Sequence, residues 1–379
     1  MSGNIAIRER HPLYSAPRKQ GLAIDVSPIK RTAQNAPVVR RRTTLKDLAA
    51  HLGLSPTTIS FVLNDSPMAR TLSEETRQRV RAAAKQMHYR PSYFALNLTR
   101  QSSGNVGVIA PEHSEGFFTK VMGGIERHLM RHNFMYFTAC HYWKPKLMKE
   151  YPQLLENRGA EGLILLNTNA AFETTLPVVA VSAHLERAGV TDLVIDHVEA
   201  ARLAIQHLYN AGHRKIAFMK GHRHIIDTEP RWKAMMEVAR EFGVSPTPER
   251  TVQMHSNGWT PQVGYEPARE LLNATQDFTA LVCFNDTTAF GAIRALHEAG
   301  MMVPRDVSVV GFDDIAGAVF NVPSLTTIRQ PLEAMGKRAA EILLDRIARP
   351  DFIYSPKIFM TPELIVREST GPCKKRKTK

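Results

Sequence analysis

The stretch TTLKDLAAHLGLSPTTISFVLND, residues 43–65, contains two short helical patterns separated by a glycine. Apolar residues in its first half recur at the spacing of one helical face, and Thr44 stands where an N-cap belongs. Gly53 ends this helix, and Ser55 caps a second helix that has Pro56 in its first turn. Two helices joined by so tight a turn predict a helix-turn-helix.

The second predicted helix has one apolar face and one polar face. Ile59, Val62 and Leu63 are expected to pack on the first helix. The small polar side chains left outside suit phosphate oxygens and base edges; they are Thr57, Thr58, Ser60 and Asn64. A third helix is predicted to begin at Ser73, with inward residues Val80, Ala83, Ala84 and Met87. A small helical hairpin with a polar outside is the alternative for this stretch taken alone.

The positive charge of the chain is concentrated in its first hundred residues. Residues 1–100 contain 17 Lys and Arg against 6 Asp and Glu, and the tail 374–379 adds five positive charges. Residues 101–373 contain 27 Lys and Arg against 30 Asp and Glu. A basic N-terminal segment followed by a slightly acidic remainder indicates that the N-terminal segment binds a polyanion. A merely solvated basic terminus is the alternative.

Several protein classes are not expected from the composition. The three cysteines, Cys140, Cys283 and Cys373, form no CxxC pair, which argues against a disulfide scaffold and a structural zinc site. No apolar run resembles a signal peptide or is long enough to span a membrane. We therefore expect a cytoplasmic protein without membrane association.

From Gly104 onward, short apolar runs alternate with helical stretches. The first series of runs comprises residues 106–110, 134–139, 162–166 and 177–181, and the second comprises 215–219, 280–284 and 307–312. Continuous apolar strands alternating with helices indicate parallel sheets covered on both faces. Two series predict two doubly wound lobes, with a ligand cleft at the carboxyl ends of the strands.

Five blocks of sequence, in order, resemble those of the lactose-repressor (LacI/GalR) family of transcription regulators. They are TLKDLAAHLGLSPTTISFVLN, YRPSYFALNL, HLYNAGHRKIAFMKG, CFNDTTAFGAIRAL and VSVVGFDDIAGAVFNVPSLTTIRQP, within residues 43 to about 368. The resemblance implies an α/β protein with an N-terminal helix-turn-helix headpiece. A two-lobed, periplasmic-binding-protein-like domain of doubly wound parallel sheets would follow.

The expected organisation has four parts. Residues 1–42, rich in proline and basic side chains, are predicted to form a disordered extension. The headpiece would span 43–101, with a hinge helix at about 91–99. An effector-binding and dimerisation domain would span 104–368, and a basic tail 369–379.

The resemblance implies a homodimer that reads a pseudo-palindromic operator with its second helix in the major groove. Pro56, Thr57 and Phe61 would face the bases. The residues expected to hold phosphates are Thr44, Ser55, Thr58, Ser60 and Asn64. Phe61 stands where many family members carry an arginine that contacts guanine, so a different operator centre is expected.

The block that begins at Tyr89 is similar to the hinge helix, which in the family becomes ordered on operator DNA. Leu98 aligns with the leucine that wedges between the central base pairs from the minor groove and kinks the duplex. Tyr89 and Leu98 are therefore counted among the DNA-binding residues. A buried linker leucine is the alternative for position 98.

The resemblance also implies a small ligand between the two lobes. The side chains expected to line this cleft are Phe117, Phe118, Glu199, Arg231, Trp259, Asn285 and Asp313. Acid, amide and guanidinium groups around aromatic faces suit a sugar, which is polar at its edges and apolar on its faces. Trp259 as a core residue and Arg231 as a surface ion pair are the alternatives. Glu161 and His197 depart from the family pattern and leave the detailed pocket open.

The predicted function is therefore a transcription regulator, specifically a repressor, whose operator affinity is controlled by the bound ligand. A solute-binding protein of a sugar transporter is the alternative, but it would lack the basic headpiece. An enzyme is not expected, since the sequence has no P-loop, no GxGxxG after the first strand, no GxSxG elbow and no metal-ligand cluster. Neither a cofactor nor a metal is expected.

Overall fold

The computed structural model describes residues 43–89, 102–113, 116–255 and 258–374. The chain divides into two compact units, Met1–Ser92 and Tyr93–Lys379. The predicted N-terminal extension and the predicted hinge helix lie outside the described residues.

Three short helices form the described part of the first unit. They are α1 (Leu45–Leu52), α2 (Pro56–Leu63) and α3 (Glu74–Gln86), with a 3₁₀ turn over Pro67–Thr71 between the last two. The side chains of Thr44, Ser55 and Ser73 cap the three helices, as the sequence predicts. Gly53 has a φ of 66°, a conformation that favours glycine and allows the sharp turn between α1 and α2.

The apolar faces of these helices meet in one small core. Its buried members are Leu48, Ala49, Ile59, Val62, Ala69, Val80, Ala83 and Ala84. Every residue predicted to face inward either belongs to this core or packs against it. The predicted helix-turn-helix is therefore confirmed.

Strands and helices alternate along the second unit. Its strands are β1 (Asn105–Ala110), β2 (Met135–Cys140), β3 (Leu163–Leu166), β4 (Val178–Val181), β5 (Thr191–Ile195), β6 (Ile216–Lys220), β7 (Thr251–Gln253), β8 (Ala280–Val282), β9 (Ser308–Asp313), β10 (Thr326–Arg329), β11 (Lys357–Met360) and β12 (Glu363–Ile365). Its helices are α4 (Phe117–Arg131), α5 (Pro145–Asn157), α6 (His197–Asn210), α7 (Thr228–Glu241), α8 (Gln262–Ala274), α9 (Asp286–Glu298), α10 (Gly317–Phe320) and α11 (Leu332–Ala348). Among the described residues, no helix combines the length and the apolar character that a membrane crossing requires.

The strands form two six-stranded sheets, which confirms the predicted pair of lobes. The first lobe has the order β11-β5-β4-β3-β1-β2 and the second has the order β12-β10-β9-β8-β6-β7. Neighbouring strands are parallel except for β10 and β12, which pair antiparallel. Seven of the strands correspond to the predicted apolar runs, while β5, β7, β10, β11 and β12 were not predicted.

The chain passes from one lobe to the other at three places. Strand β5 belongs to the first sheet, but the following helix α6 packs on α7 in the core of the second lobe. Strand β10 belongs to the second sheet, and the following helix α11 packs on α4 in the first lobe. The last passage joins β11 to β12. Each lobe is therefore completed by residues that follow a crossover, which places crossover residues beside the cleft.

Candidate nucleic-acid interface and ligand cleft

The polar face of α2 carries the small side chains that were predicted to contact DNA. Ser55, Pro56 and Thr57 are exposed at the start of the helix. Ser55 Oγ accepts a hydrogen bond from Thr58 N at 3.0 Å and lies 2.8 Å from Thr58 Oγ1. This hydroxyl therefore caps the helix while it remains at the surface.

The other candidate contacts of the headpiece are half-buried, except for Thr44. Asn64 Nδ2 donates to Ser60 Oγ at 3.1 Å, and both residues are half-buried. Thr44 is exposed and bonds to Asp47 in a capping box. The rings of Phe61 and Tyr89 are half-buried against the headpiece core, so each presents only part of its surface to a partner.

Leu98, the predicted minor-groove wedge, lies outside the described residues. Its role rests on the sequence alone.

In the second unit, a hydrogen bond joins the two lobes across the cleft. His184 follows β4 in the first lobe, and Asp227 immediately precedes α7 in the second lobe. His184 Nε2 lies 2.6 Å from Asp227 Oδ1. Burial alone would lower the pKa of His184, but the hydrogen bond with Asp227 outweighs it and the pKa lies above its ordinary value.

Arg231 lies one helical turn after Asp227 and is almost fully buried. Its guanidinium stacks between two rings, with its carbon 3.8 Å from the centre of Phe312 and 4.5 Å from the centre of Phe284. Nη1 donates to the carbonyl of Phe284 at 2.7 Å, and Nη2 lies 3.7 Å from Asp227 Oδ2. Nε has no hydrogen-bond partner among the described residues. Arg231 is thus a buried, stacked arginine, and the alternative of a surface ion pair is wrong.

Asp313 is the last residue of β9 and is buried within range of the charge of Arg231. Its carboxylate accepts a hydrogen bond from Gln330 Nε2 at 2.6 Å. Burial raises the pKa of Asp313 to about 6, although Arg231 and Gln330 both act to lower it. A φ of 110°, rare for a residue with a side chain, holds it at the strand end.

The charge of Asp227 is maintained by its neighbours. Burial alone would raise the pKa of Asp227, but the hydrogen bond from His184, the neighbouring ring of His197 and the positive charge of Arg231 hold it below its ordinary value. His197, the first residue of α6, lies with Nε2 3.4 Å from Asp227 Oδ1, a contact that lacks hydrogen-bond geometry. Burial lowers the pKa of His197 although Asp227 acts to raise it, and Nδ1 has no hydrogen-bond partner among the described residues.

Trp259 joins the lobes at a second point. Its ring is half-buried against the core of the second lobe, and its Nε1 donates to Glu112 Oε1, just beyond β1 in the first lobe. The alternative of a core residue therefore describes part of its environment, and its contact with a ligand stays a prediction.

Three of the predicted cleft residues are largely engaged in other contacts. Phe118 is buried in the core of the first lobe, and Phe117 packs against that core. Asn285 is buried, and its side chain caps α9 by accepting from Thr288 N at 2.9 Å. Glu199 is half-exposed in the first turn of α6. The structure therefore brings Arg231 and Asp313 together but gives Phe117, Phe118 and Asn285 mainly structural contacts.

Sequence reasoning missed His184 and Asp227 and noted His197 only as a departure from the family pattern. His184 lies three residues beyond the end of β4, so the rule that ligands bind at strand ends could have indicated it. Asp227 precedes Arg231 by one helical turn, a spacing typical of an ion pair. The clustering itself depends on the lobe crossover, which the sequence does not show.

Two family models match the chain. Residues 44–92 match the model of bacterial regulatory proteins of the lacI family, and residues 205–370 match a periplasmic binding protein-like domain. The HTH-type transcriptional repressor PurR of Haemophilus influenzae strain Rd is 32% identical over 338 residues, covering 86% of this chain and 98% of that protein. The PurR of Actinobacillus pleuropneumoniae serotype 3 is 30% identical over 335 residues, with the same coverage of both chains.

Solved structures of similar proteins share the fold. The lac repressor dimer bound to operator and the anti-inducer ONPF matches with a TM-score of 0.77 at 23% identity, covering 87% of this chain and all of that chain. A LacI family regulator from Enterococcus faecium with bound ribose matches with a TM-score of 0.63 at 27% identity, covering 71% and 100%. These relatives are regulators, and none of them supports a transport protein. With its helix-turn-helix, its two lobes and its repressor relatives, the chain belongs to the lacI family of bacterial regulatory proteins, which are ligand-controlled, DNA-binding regulators of transcription.

Proposed function

We propose that this protein is a repressor that binds a pseudo-palindromic operator as a homodimer, and that a sugar bound between its lobes controls its operator affinity. It acts in the cytoplasm and catalyses no reaction. The observation that carries the proposal is the buried polar cluster around Arg231 and Asp313, which meets residues of both lobes beside two aromatic faces.

The arrangement of the headpiece supports operator binding. Helix α2 presents Ser55, Pro56 and Thr57 at its exposed amino end, which is the end that contacts base edges in helix-turn-helix proteins. Thr44, Thr58, Ser60 and Asn64 would hold phosphates beside it, and Phe61, Tyr89 and Leu98 would add apolar contacts. A homodimer follows from the two-fold symmetry that such operators share with their proteins.

The composition of the cleft supports a polyhydroxylated ligand. Arg231 Nε and the Asp313 carboxylate supply a donor and an acceptor, and charge-assisted hydrogen bonds of this kind are roughly twice as strong as neutral ones. Phe284, Phe312 and Trp259 supply apolar faces nearby. The CelR–cellobiose complex, at 26% identity, and the ribose-bound regulator from Enterococcus faecium show sugars on proteins of this fold.

The position of the cluster supports control of DNA binding by that ligand. A ligand can shift an equilibrium between two conformations only if it binds one of them more tightly. Because the cluster contains groups from both lobes, a ligand bound there has different contacts when the lobes move apart. Phe117, Phe118, Glu199 and Asn285 would support the pocket from behind or at its margin.

A binding selection from random duplex DNA with the full chain tests the operator half of the proposal. We expect enrichment of a pseudo-palindrome, and an affinity that falls on the order of a thousandfold between 50 and 200 mM salt because phosphate contacts release counterions. Recovery of sites without two-fold symmetry, or binding that does not change with salt, would count against it.

Thermal-shift screening of the full chain against sugars and purines tests the ligand half. A ligand at a hundred times its Kd should stabilise the protein by about 2.7 kcal/mol. Stabilisation by purines and not by sugars would replace the proposed ligand class while leaving the cleft as the site.

A further inference from the structure

The side chains of His184, His197 and Asp227 form a cluster with the composition of a transition-metal site. One donor atom from each residue lies within 4.8 Å of the other two. The Asp227 Oδ1 atom lies 2.6 Å from His184 Nε2 and 3.4 Å from His197 Nε2. Two ligand atoms on one tetrahedral zinc ion, with bonds of about 2.0–2.1 Å, lie roughly 3.4 Å apart. Small side-chain rotations therefore suffice to place an ion between the three groups.

We propose that His184, His197 and Asp227 bind a divalent transition-metal ion of the zinc class, which ties the two lobes together. Two imidazoles and one carboxylate are a ligand set that zinc uses, with a fourth position left for water or another ligand. The site is distinct from the sugar contacts of Arg231 and Asp313, although it lies beside them.

The ring of His197 is the observation that favours an ion over a simple hydrogen-bonded pair. His184 and Asp227 satisfy each other, but the buried Nδ1 of His197 has no hydrogen-bond partner among the described residues, and its Nε2 has only the contact of 3.4 Å with Asp227, which lacks hydrogen-bond geometry. A buried polar group without a hydrogen bond costs free energy that a metal bond would recover.

The three ligands come from different parts of the two-lobed unit. His184 belongs to the first lobe, Asp227 to the second, and His197 opens the helix that follows the crossover. His184 has a φ of 49°, which a residue with a side chain rarely adopts and which directs this loop at the cleft. An ion held by all three would favour the lobe arrangement seen in the structure.

Calorimetric titration of the chelator-treated full chain with ZnCl₂ alone tests the proposal, and it involves neither DNA nor a sugar. We expect one ion per chain in this site. His184→Gln should weaken binding on the order of a hundredfold because one of three ligands is lost, while its amide can still donate to Asp227. His197→Gln should act in the same way, and circular dichroism in chelator would show whether this buried variant folds. Visible absorption of bound Co²⁺, intense for tetrahedral sites, should appear in the parent and disappear in both variants.

His224→Gln is the matched control. His224 is exposed in the second lobe with its ring 5.0 Å from that of His222, so this pair could bind zinc adventitiously. The variant should bind like the parent. Absence of binding, equal affinity in the parent and His184→Gln, or loss of binding only in His224→Gln would each overturn the proposal. Because operator and sugar binding are measured in separate experiments, the metal site and the proposed function can fail independently.

Discussion

Asp313 shows how a single buried carboxylate can reduce the stability of a fold at neutral pH. Its pKa of about 6 in the folded chain exceeds the ordinary value of 3.8. Between about pH 4 and 6, the folded chain therefore binds more protons than the unfolded chain, so the contribution of Asp313 to stability grows as the pH falls through this window. Above about pH 6, burial of the charged Asp313 carboxylate lowers the free energy of unfolding by up to about 3 kcal/mol.

We therefore expect Asp313→Asn to be more stable than the parent at pH 8, by up to about 3 kcal/mol, because the amide removes the buried charge and still accepts from Gln330. The difference should shrink as the pH falls towards 4. Urea unfolding of both chains in chelator from pH 4 to 8 measures it. A variant that is less stable at every pH would show that the charge of Asp313 stabilises the fold.

Arg231→Ala should weaken the sugar by about 2 kcal/mol, roughly thirtyfold, because it removes a charge-assisted donor. It should also lower the free energy of unfolding by about 3 kcal/mol, since it leaves Asp227 and Asp313 buried without their cation. Calorimetry with the sugar from the screen and urea unfolding measure the two effects. Lys233→Ala, an exposed change two residues away, is the control. Unchanged affinity in Arg231→Ala would place the ligand elsewhere.

At the scale of elements, helix α2 combines two roles that substitutions can separate. Ser55→Ala removes the N-cap of α2 and should lower the local stability of this helix by about 1 kcal/mol. Hydrogen exchange of the α2 amides, measured in the full chain, should therefore become about fivefold faster. Thr57 is exposed, so Thr57→Ala should leave exchange unchanged and weaken operator binding by about 1–3 kcal/mol. Equal operator binding by Thr57→Ala and the parent would remove this residue from the interface.

The helices of the headpiece could be predicted from the sequence because each carries its own signals. Thr44, Gly53 and Ser55 act within a few residues of themselves, so local chemistry determines the helix ends. Strand β5 was missed for the opposite reason. Its residues Thr191 and Asp192 are polar, yet both are buried, and Thr191 bonds to Arg346 and Ser355, which are distant in the sequence. Only the folded chain supplies those partners.

The candidate cleft could be predicted only in part, again because of distant contacts. Asp313 lies within a family block and Arg231 follows one, and the structure does bring the two residues together. Asn285 belongs to such a block as well, but its side chain is used to cap α9. The meeting of His184 with Asp227 requires both lobes to be folded and joined, which no local pattern specifies.

At the scale of the whole second unit, a few polar contacts join the lobes and set their arrangement. His184 bonds to Asp227, Trp259 bonds to Glu112, and Lys120 Nζ donates to the carbonyl of Asp314 at 2.6 Å. Interactions of this kind contribute about 1 kcal/mol each, so a ligand with a few contacts can change the balance between lobe arrangements. The lobes are therefore suited to pass a signal from the cleft to the operator.

If the sugar controls operator binding, the coupling must be reciprocal. A coupling of about 1–3 kcal/mol changes operator affinity by roughly 5- to 150-fold, and saturating operator must change sugar affinity by the same factor. Lys120→Met removes one inter-lobe contact and leaves the proposed sugar contacts Arg231 and Asp313 in place, although it also removes a positive charge that helps to lower the pKa of Asp313. This substitution should shift the balance between the two lobe arrangements. If the sugar releases DNA, sugar affinity and operator affinity should change in opposite directions. If the sugar promotes DNA binding, both affinities should change in the same direction. Calorimetry and fluorescence anisotropy measure the two affinities, with the exposed Lys146→Met as control. A change in only one of them would show that this contact does not belong to the coupled equilibrium.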